Sequence, residues 1–253
     1  MNIRAEPFCF PKRGNSEDEN DDAVWPDTSR EYQEPIVRFA VADGATESIF
    51  AGRWAKQLVD AVGENRLSVG NKFPEIQSLR SKWHEWMGEV KLAWYAEEKA
   101  RQGTYAALIG LEISASGPGQ ESDRQWQATA LGDACFFHIR GDEIKVRFPL
   151  QTSDEFDNRP FLLGTMAGDE EALSEKVVHK RGSWIEGDEF YLMTDALACW
   201  FLRQIEADTK PLEALCANAS PTEPTRFPTW IESLRDDGLI RNDDCTLVRV
   251  AMQ

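Results

Sequence analysis

The sequence predicts an α+β protein, because strand-like and helix-like segments come in successive blocks along the chain. The apolar pattern places strands first, then two helices, a long block of strands, a group of helices and one last strand. A chain of 253 residues is long enough for one sizeable hydrophobic core, and no repeat or linker composition interrupts it. We therefore expect a single domain that spans residues 1–253.

The first part of the chain predicts two strands and two helices. The apolar stretch at 7–10 is typical of a short edge strand, and 36–42 predicts a second strand. Apolar residues then recur every three to four positions over 49–62, as in an amphipathic helix. A long helix is predicted over 75–101. Its core face is expected to carry Leu79, Trp83, Trp86, Val90 and Trp94.

The rest of the chain predicts seven strands and three helices. The strands are expected at 104–113, 126–131, 134–140, 143–148, 177–181, 189–194 and 245–251, and the helices at 196–207, 212–219 and 228–237. The second and third of these strands are expected to pair around Gly132-Asp133. Residues 149–176 are irregular and rich in Asp, Glu, Gly and Pro, which predicts a mobile flap.

The charge balance excludes some function classes. The chain has 28 basic and 44 acidic residues, a formal net charge of −16. A nucleic-acid-binding surface needs a basic face, and an anionic membrane repels an acidic protein, so we expect neither partner. Five widely spaced cysteines indicate neither a zinc site nor a disulfide framework. With no leader or membrane-spanning run visible, we expect a cytoplasmic location.

Five short acidic motifs are the main functional signal, and four of them adjoin predicted strands. They are Asn20-Asp21-Asp22-Ala23, Asp43-Gly44, Gly132-Asp133, Asp195 and Asp243-Asp244. Carboxylates from distant strand ends can converge only if the fold brings those ends together, and Mg²⁺ and Mn²⁺ prefer such oxygen-rich clusters. A turn or helix-cap role is the better interpretation of one such motif alone. The five together favour metal binding.

Four other acidic residues lack a comparable motif. They are Asp142, Asp188, Asp236 and Asp237, and each is expected to be a solvated acid in a turn.

The ordered motifs resemble those of the type 2C, metal-dependent Ser/Thr protein phosphatases. The resemblance covers 14–251 and includes Val-Ala-Asp-Gly (41–44), Gly-Thr-Tyr-Ala (103–106), Leu-Gly-Asp-Ala (131–134) and Asn-Asp-Asp-Cys-Thr-Leu-Val (242–248). It implies a four-layer α/β/β/α sandwich, in which two antiparallel β-sheets are flanked by antiparallel helix pairs. It also implies a dinuclear Mn²⁺ or Mg²⁺ site in a cleft at one end, in a divergent bacterial-type member.

The same resemblance implies roles for individual residues. Asp43 would bridge two cations, the Gly44 carbonyl would bind one of them, and Asp195 and Asp243 would complete the first site. Around the second cation the resemblance implies Asp21 and, through water, Asp22; Asp133 matches the position of a third, weaker cation. The implied reaction is hydrolysis of phosphoserine or phosphothreonine on proteins by a metal-bridged water, in opposition to a Ser/Thr kinase.

Several positions depart from the family pattern. Ser48 stands where many members have a His, Glu17 where some have a phosphate-binding Arg, and Cys199 where many have another Asp. Lys12 or Arg13 could replace the missing arginine. These departures keep open a catalytically degenerate member that acts as a metal-binding regulatory or interaction module. A metal-dependent nuclease or phosphodiesterase is a third alternative, which the net charge disfavours. The oligomeric state is left open.

Overall fold

The computed structural model of the protein describes residues 2–70, 73, 75–115, 124–157, 159–168 and 170–253. The strands in these residues are β1 (Ile3–Phe10), β2 (Asp22–Trp25), β3 (Arg30–Tyr32), β4 (Ile36–Gly44), β5 (Tyr105–Ser114), β6 (Gln125–Leu131), β7 (Cys135–Arg140), β8 (Glu143–Phe148), β9 (Leu163–Gly164), β10 (Val178–Ser183), β11 (Asp188–Met193) and β12 (Cys245–Met252). The α-helices are α1 (Ala51–Gly63), α2 (Ile76–Glu89), α3 (Trp94–Arg101), α4 (Glu170–Lys176), α5 (Asp195–Glu206), α6 (Pro211–Asn218) and α7 (Arg226–Asp236).

The strands form two antiparallel sheets. The first has the order β3-β1-β12-β11-β7-β8, and the second has the order β10-β6-β5-β4-β2, with β9 beside β5. The inner faces of both sheets contribute to one core that includes Phe39, Ile109, Phe136 and Val248. Alternating apolar residues along each strand therefore bind the two sheets face to face.

Helices cover the outer face of each sheet. On the second sheet, α1 buries Trp54, Leu58 and Val62, which share one helix face at four-residue spacing, and α2 packs beside it. On the first sheet, α5, α6 and α7 bury a separate cluster that includes Phe201 and Ile231. The predicted α+β class and four-layer α/β/β/α sandwich are confirmed, with three helices rather than a pair on the first sheet. Among the described helices, none is long and apolar enough to cross a membrane.

The predicted long helix over 75–101 is wrong, because two helices occupy that range. Helix α2 ends at Glu89, and Val90 has the extended backbone angles φ −80° and ψ 122°. Gly88 lies in the last turn of α2, where glycine weakens a helix by about 1 kcal/mol relative to alanine. Trp94 begins α3 and is 83% exposed, so it does not extend the core face that Trp83 occupies.

Strand placement also differs from expectation. Strand β1 is longer than predicted: it pairs with β12 over Ile3–Phe10 and with β3 at residues 3–5, so among the described residues its 7–10 stretch has a strand partner on one side, as an edge strand does. Strands β6 and β7 do not pair, because they belong to different sheets, and Gly132-Asp133 is the crossover between them. Gly132 has φ +94°, a backbone conformation that favours glycine. A local alternation pattern cannot distinguish such a crossover from a hairpin turn.

The segment 149–176 has more structure than predicted. It contains a 3₁₀ turn at Ser153–Glu155, strand β9 and helix α4, while residues 158 and 169 lie outside the described residues. Leu163 is buried against the α1 layer, and its carbonyl accepts a hydrogen bond of 2.8 Å from Trp54 Nε1. The segment is thus anchored at β9, and its mobility stays a prediction.

The expectation that Asp188 is solvated is wrong. Its side chain is fully buried and accepts hydrogen bonds from Arg140 Nε at 2.7 Å and Nη2 at 2.8 Å. His138 Nε2 lies 2.9 Å from Asp188 Oδ2, the oxygen that also accepts from Arg140 Nη2. Burial alone would raise the pKa of Asp188, but these partners lower it. Asp142 and Asp237 are exposed in turns, as predicted, whereas Asp236 is exposed but ends α7 and accepts a hydrogen bond of 2.6 Å from Arg13 Nη2.

Candidate metal centre

Four of the predicted carboxylates line one open cleft of about 430 Å³. Asp43 lies near the end of β4, and Asp133 lies in the crossover between β6 and β7. Asp195 begins α5 two residues after the end of β11, and Asp243 lies two residues before β12. The fold therefore brings strand ends from both sheets to one place. The role of these side chains as cation ligands stays a prediction.

Asp22 lies beside this cleft, on the strand next to Asp43. The two residues are directly paired in the antiparallel register of β2 and β4. Asp22 Oδ2 accepts a hydrogen bond of 3.0 Å from Thr194 Oγ1, whereas its buried Oδ1 has no hydrogen-bond partner among the described residues. A buried carboxylate oxygen without a partner is costly, so Asp22 has unused capacity to accept a cation or a water.

Asp21 and Gly44 are packed against each other at the edge of the cleft. Gly44 N donates to the Asp21 carbonyl at 3.1 Å, and Asp21 Oδ1 accepts from Gly52 N at 3.0 Å. A Cβ on Gly44 would lie 2.6 Å from that carbonyl, and a Cβ on Gly52 would lie 2.8 Å from the Asn20 carbonyl. The glycine after Asp43 is therefore required by this close approach of backbones.

Burial and mutual repulsion raise the pKa values of the central carboxyl groups. The pKa of Asp43 is well above its ordinary value because the group is buried and faces Asp22, Asp195, Asp133 and Asp243. Burial and the charge of Asp244 raise the pKa of Asp22 in the same way. The pKa of Asp133 rises to about 7, chiefly through burial and Asp195. Carboxylates that repel one another in a partly closed cleft are the electrostatic pattern of a cation site.

Arg241 occupies part of this cleft, which the sequence did not predict. Its guanidinium binds Asp195 Oδ2 at short range and lies 3.1 Å from Asp243 Oδ2. Burial would lower the pKa of Arg241, but the two carboxylates raise it overall. Its position two residues before Asp243 was the one available signal.

The arrangement of the carboxylates does not form a finished coordination shell. Among the described residues, no group of three or more His, Cys, Asp or Glu side chains has a geometry that could hold a metal ion as it stands. The donor set nevertheless suits a hard divalent cation, because it consists of carboxylate oxygens. The unpartnered Asp22 Oδ1 and the raised pKa values of Asp22 and Asp43 agree with that fit.

Two further residues, for which the sequence predicted no role, hold Asp21 and Asp22 in position. Asp244 is 5% exposed, and its oxygens accept hydrogen bonds from Lys12 N at 2.7 Å and Asp21 N at 3.0 Å. Thr194 Oγ1 accepts from Thr246 N at 3.0 Å while donating to Asp22. These bonds fix the Asp21 loop and the Asp22 carboxylate relative to β12.

The structure limits the replacements considered for the missing phosphate-binding arginine. Arg13 is bound to Glu232 through Nε at 2.7 Å and to Asp236 at 2.6 Å, so its positive charge is paired with two carboxylates of α7. Lys12 Nζ lies 3.5 Å from Thr46 Oγ1, and Thr46 lines the cleft. Among the described residues, Arg159 and Arg241 are the cationic side chains that line the cleft itself.

Of the remaining departures from the family pattern, Ser48 and Cys199 contact the backbone. Ser48 Oγ accepts a hydrogen bond of 3.3 Å from Tyr105 N, so this hydroxyl is used by the backbone. Glu17 is exposed in the 3₁₀ turn Glu17–Glu19. Cys199 Sγ lies 3.8 Å from the Ser153 carbonyl.

Comparison with known proteins points to one group of solved structures. No protein-family profile matches the sequence, and no curated protein is significantly similar to it. The chain is similar to the Mycobacterium tuberculosis serine/threonine phosphatase PstP/Ppp, with a TM-score of 0.62 at 14% identity over 100% of both chains. The catalytic domain of PstP in complex with two manganese ions gives 0.53 at 13% identity, over 98% of each chain. RsbX in complex with magnesium gives 0.51 at 18% identity, over 100% of this chain and 96% of that one.

Identities this low establish the fold and nothing finer. The two-sheet sandwich, its helical layers and its coverage from end to end agree with these structures. The chain therefore has the fold of the type 2C, metal-dependent Ser/Thr phosphatases.

Proposed function

We propose that this protein hydrolyses phosphoserine or phosphothreonine on proteins, with Mn²⁺ or Mg²⁺ bound at the carboxylate cleft. The observation that supports it best is the convergence of Asp43, Asp133, Asp195 and Asp243 on one open cleft. These residues come from four separate parts of a fold that solved Ser/Thr phosphatases share. Surface turns alone would not bring four carboxylates together against their own repulsion.

In this proposal each carboxylate has a defined part. Asp43, Asp195 and Asp243, with the Gly44 carbonyl, would hold the first cation, and Asp43 would be shared with a second. On the other side, Asp21 and, through a bound water, Asp22 would hold the second cation, and Asp133 a third, weaker one. Bound divalent cations supply charge neutralisation for phosphoryl oxygens and a water nucleophile near neutral pH. The structures of PstP with manganese and RsbX with magnesium support this choice of metals.

The remaining side chains of the cleft position the site and the substrate. Thr194 fixes the orientation of the Asp22 carboxylate through its 3.0 Å hydrogen bond. Arg159 and Arg241 line the cleft and supply positive charge for the phosphoryl oxygens, in place of the arginine that the sequence lacks at Glu17. The substrate would be a phosphorylated protein, the product of a Ser/Thr kinase. A cytoplasmic location and a single domain over 1–253 remain part of the proposal.

A regulatory module with the same fold is the second candidate. The contact of Arg241 with Asp195 and Asp243 favours it, because an arginine can neutralise these carboxylates without a metal. Ser48, bound to the backbone, also leaves no imidazole at the position where a general acid is expected. Against a module that binds no metal, such a protein would gain nothing from carboxylates that repel one another as those around Asp43 do.

Release of phosphate from a phosphothreonine peptide distinguishes the two. Turnover should require Mn²⁺ or Mg²⁺, stop with chelator and fall at least about 100-fold in Asp43→Asn and Asp195→Asn, as for loss of a central catalytic group. Asp142→Asn, in an exposed turn, is the matched control and should keep wild-type activity. A folded protein that binds Mn²⁺ without any turnover would instead support the regulatory module.

A further inference from the structure

Arg241 links two carboxylates that come from different parts of the chain. Asp195 begins α5, and Asp243 lies in the segment that leads into β12. The Arg241 guanidinium contacts an oxygen of each, at short range to Asp195 and at 3.1 Å to Asp243. Side-chain exposure is 13% for Asp195, 30% for Asp243 and 50% for Arg241, so the carboxylates are sheltered while the arginine reaches in from solvent.

Repulsion among the carboxylates explains why a positive charge stabilises this cleft. Asp43, Asp133, Asp195 and Asp243 line one cleft, and carboxylates that face one another repel unless a positive charge lies among them. The Arg241 guanidinium offsets part of that repulsion, because it attracts Asp195 and Asp243 at once. Hydrogen bonds between an arginine and a carboxylate are also stronger than neutral ones.

The backbone on both sides of Arg241 is held in place. Asn242 Oδ1 accepts a hydrogen bond of 2.7 Å from Arg13 N. The Asp243 carbonyl accepts one of 2.6 Å from Arg235 Nη2, and Asp243 N donates to the Arg241 carbonyl at 3.0 Å. Because the backbone is fixed, the half-exposed side chain is the part that can leave the carboxylates.

We propose that Arg241 is an internal counter-ion that competes with the divalent cation for Asp195 and Asp243. This inference rests on the proposed cation site. In the metal-free protein the guanidinium holds the two carboxylates; cation binding displaces it toward the cleft mouth, where its charge faces an incoming phosphoryl group. The contacts that are lost lower the apparent cation affinity, since only the fraction of molecules with free carboxylates is competent to bind.

The test compares Mn²⁺ affinity, measured by titration calorimetry, with the unfolding midpoint of the metal-free protein. Arg241→Ala should bind Mn²⁺ about tenfold more tightly, the effect of losing roughly 1.4 kcal/mol of competition. Its metal-free unfolding midpoint should fall, because the carboxylates lose their counter-ion. Arg241→Lys keeps the charge but loses the planar fork, and should lie between wild type and Arg241→Ala in both measurements. Arg226→Ala, which removes an exposed arginine paired with Glu223, is the matched control and should change neither.

Three results would overturn the proposed role of Arg241. Unchanged or weaker Mn²⁺ affinity in Arg241→Ala overturns the proposal, as does an unchanged metal-free midpoint, which would mean that Arg241 acts only as a distant charge. Absence of Mn²⁺ binding in wild type and variant alike overturns both this inference and the cation site. Phosphate release measured on the same samples separates the two ideas. Wild type that binds Mn²⁺ without hydrolysing phosphopeptide contradicts the proposed function, while the Arg241 comparison still stands on binding alone.

Discussion

Asp22 and Asp43 lie directly opposite each other on neighbouring antiparallel strands, the first on β2 and the second on β4. Like charges in directly opposed positions destabilise a sheet. Both residues have pKa values well above normal, because both are buried and each lies near other carboxylates. The metal-free cleft therefore opposes folding at neutral pH, and a bound cation would remove that opposition.

Replacing Asp43 by asparagine should stabilise the metal-free protein. Asp43→Asn keeps the shape of the side chain but removes the charge that Asp22 and Asp195 repel. We expect a gain of about 1 kcal/mol, which for a chain of this size raises the unfolding midpoint by about 2–4 °C. Thermal unfolding with chelator present measures this. Added Mn²⁺ should then stabilise the wild type but not the variant, and a lower midpoint for metal-free Asp43→Asn would contradict the account.

The pKa of Asp133 predicts how metal-free stability depends on pH. Its folded-state pKa is raised from 3.8 to about 7, so the folded protein binds this proton more tightly than the unfolded chain does. Stability is therefore lost as pH rises from about 4 to about 7, and is constant above that range with respect to this group. The pKa of Asp188 is lowered, so the contribution of Asp188 to stability changes only at pH values below its ordinary pKa of 3.8, outside this pH range.

Unfolding midpoints from pH 4.5 to pH 8, with chelator, measure the effect. They should decline across that range in the wild type and decline less in Asp133→Asn, which cannot lose the proton. Identical pH profiles for the two proteins would show that the pKa of Asp133 is not raised in the folded state. Mn²⁺ binding should weaken as pH falls through the same range, because protons and cation compete for the carboxylates.

Gly44 should not tolerate a side chain. A Cβ there would lie 2.6 Å from the Asp21 carbonyl and 2.7 Å from the Ala51 carbonyl carbon, and both are backbone atoms that cannot turn aside. Gly44→Ala should therefore cost about 1–3 kcal/mol, as overpacking of a tight site does. Gly88→Ala is the matched control, because a Cβ on Gly88 meets no atom within 4 Å and alanine favours the helix. Denaturant unfolding should show loss for Gly44→Ala and equal or greater stability for Gly88→Ala.

Asp188 should matter for stability and not for catalysis. It lies at the opposite end of β11 from Asp195, about 20 Å away along a strand of this length. Asp188→Ala leaves His138 and Arg140 without their buried acceptor, which should cost about 2 kcal/mol, less than a fully buried pair because Arg140 is partly exposed. Asp237→Ala in an exposed turn is the control and should stay within about 0.5 kcal/mol of wild type. Reduced phosphatase activity per folded Asp188→Ala molecule would contradict this separation.

The elements that the sequence predicted well are those whose local pattern reflects one environment. Helix α1 buries one face at regular spacing, and β12 coincides with a strongly apolar run of residues. The pattern of apolar residues was therefore sufficient to predict both elements. The assignment of β6 and β7 to different sheets depends on which partners each strand meets, and alternation carries no such information. The helix breaks before α3 because residues around Gly88 have only weak local helix preferences. Tertiary packing then determines where the helix ends.

The residues of the cleft and of the Asp188 cluster also differ in how far the sequence could predict them. Asp43 and Asp195 could be selected from the sequence because each adjoins a strand and stands in a recognisable order. The burial of Asp188 could not, because its partners His138 and Arg140 lie 50 and 48 residues away and meet it only through the β7–β11 pairing. Arg241 was missed because its contact with Asp195 crosses from the β12 segment to α5, a relationship between two distant elements.

The most direct test of the cation site is an anomalous difference map from crystals soaked in Mn²⁺. We expect at least two peaks in the cleft, one of them within about 2.5 Å of oxygens from Asp43, Asp195 and Asp243, as oxygen ligands of divalent cations require. Arg241 should then have left Asp195. A clean map with no peak in the cleft, and with Arg241 still bound to Asp195 and Asp243, would contradict the account.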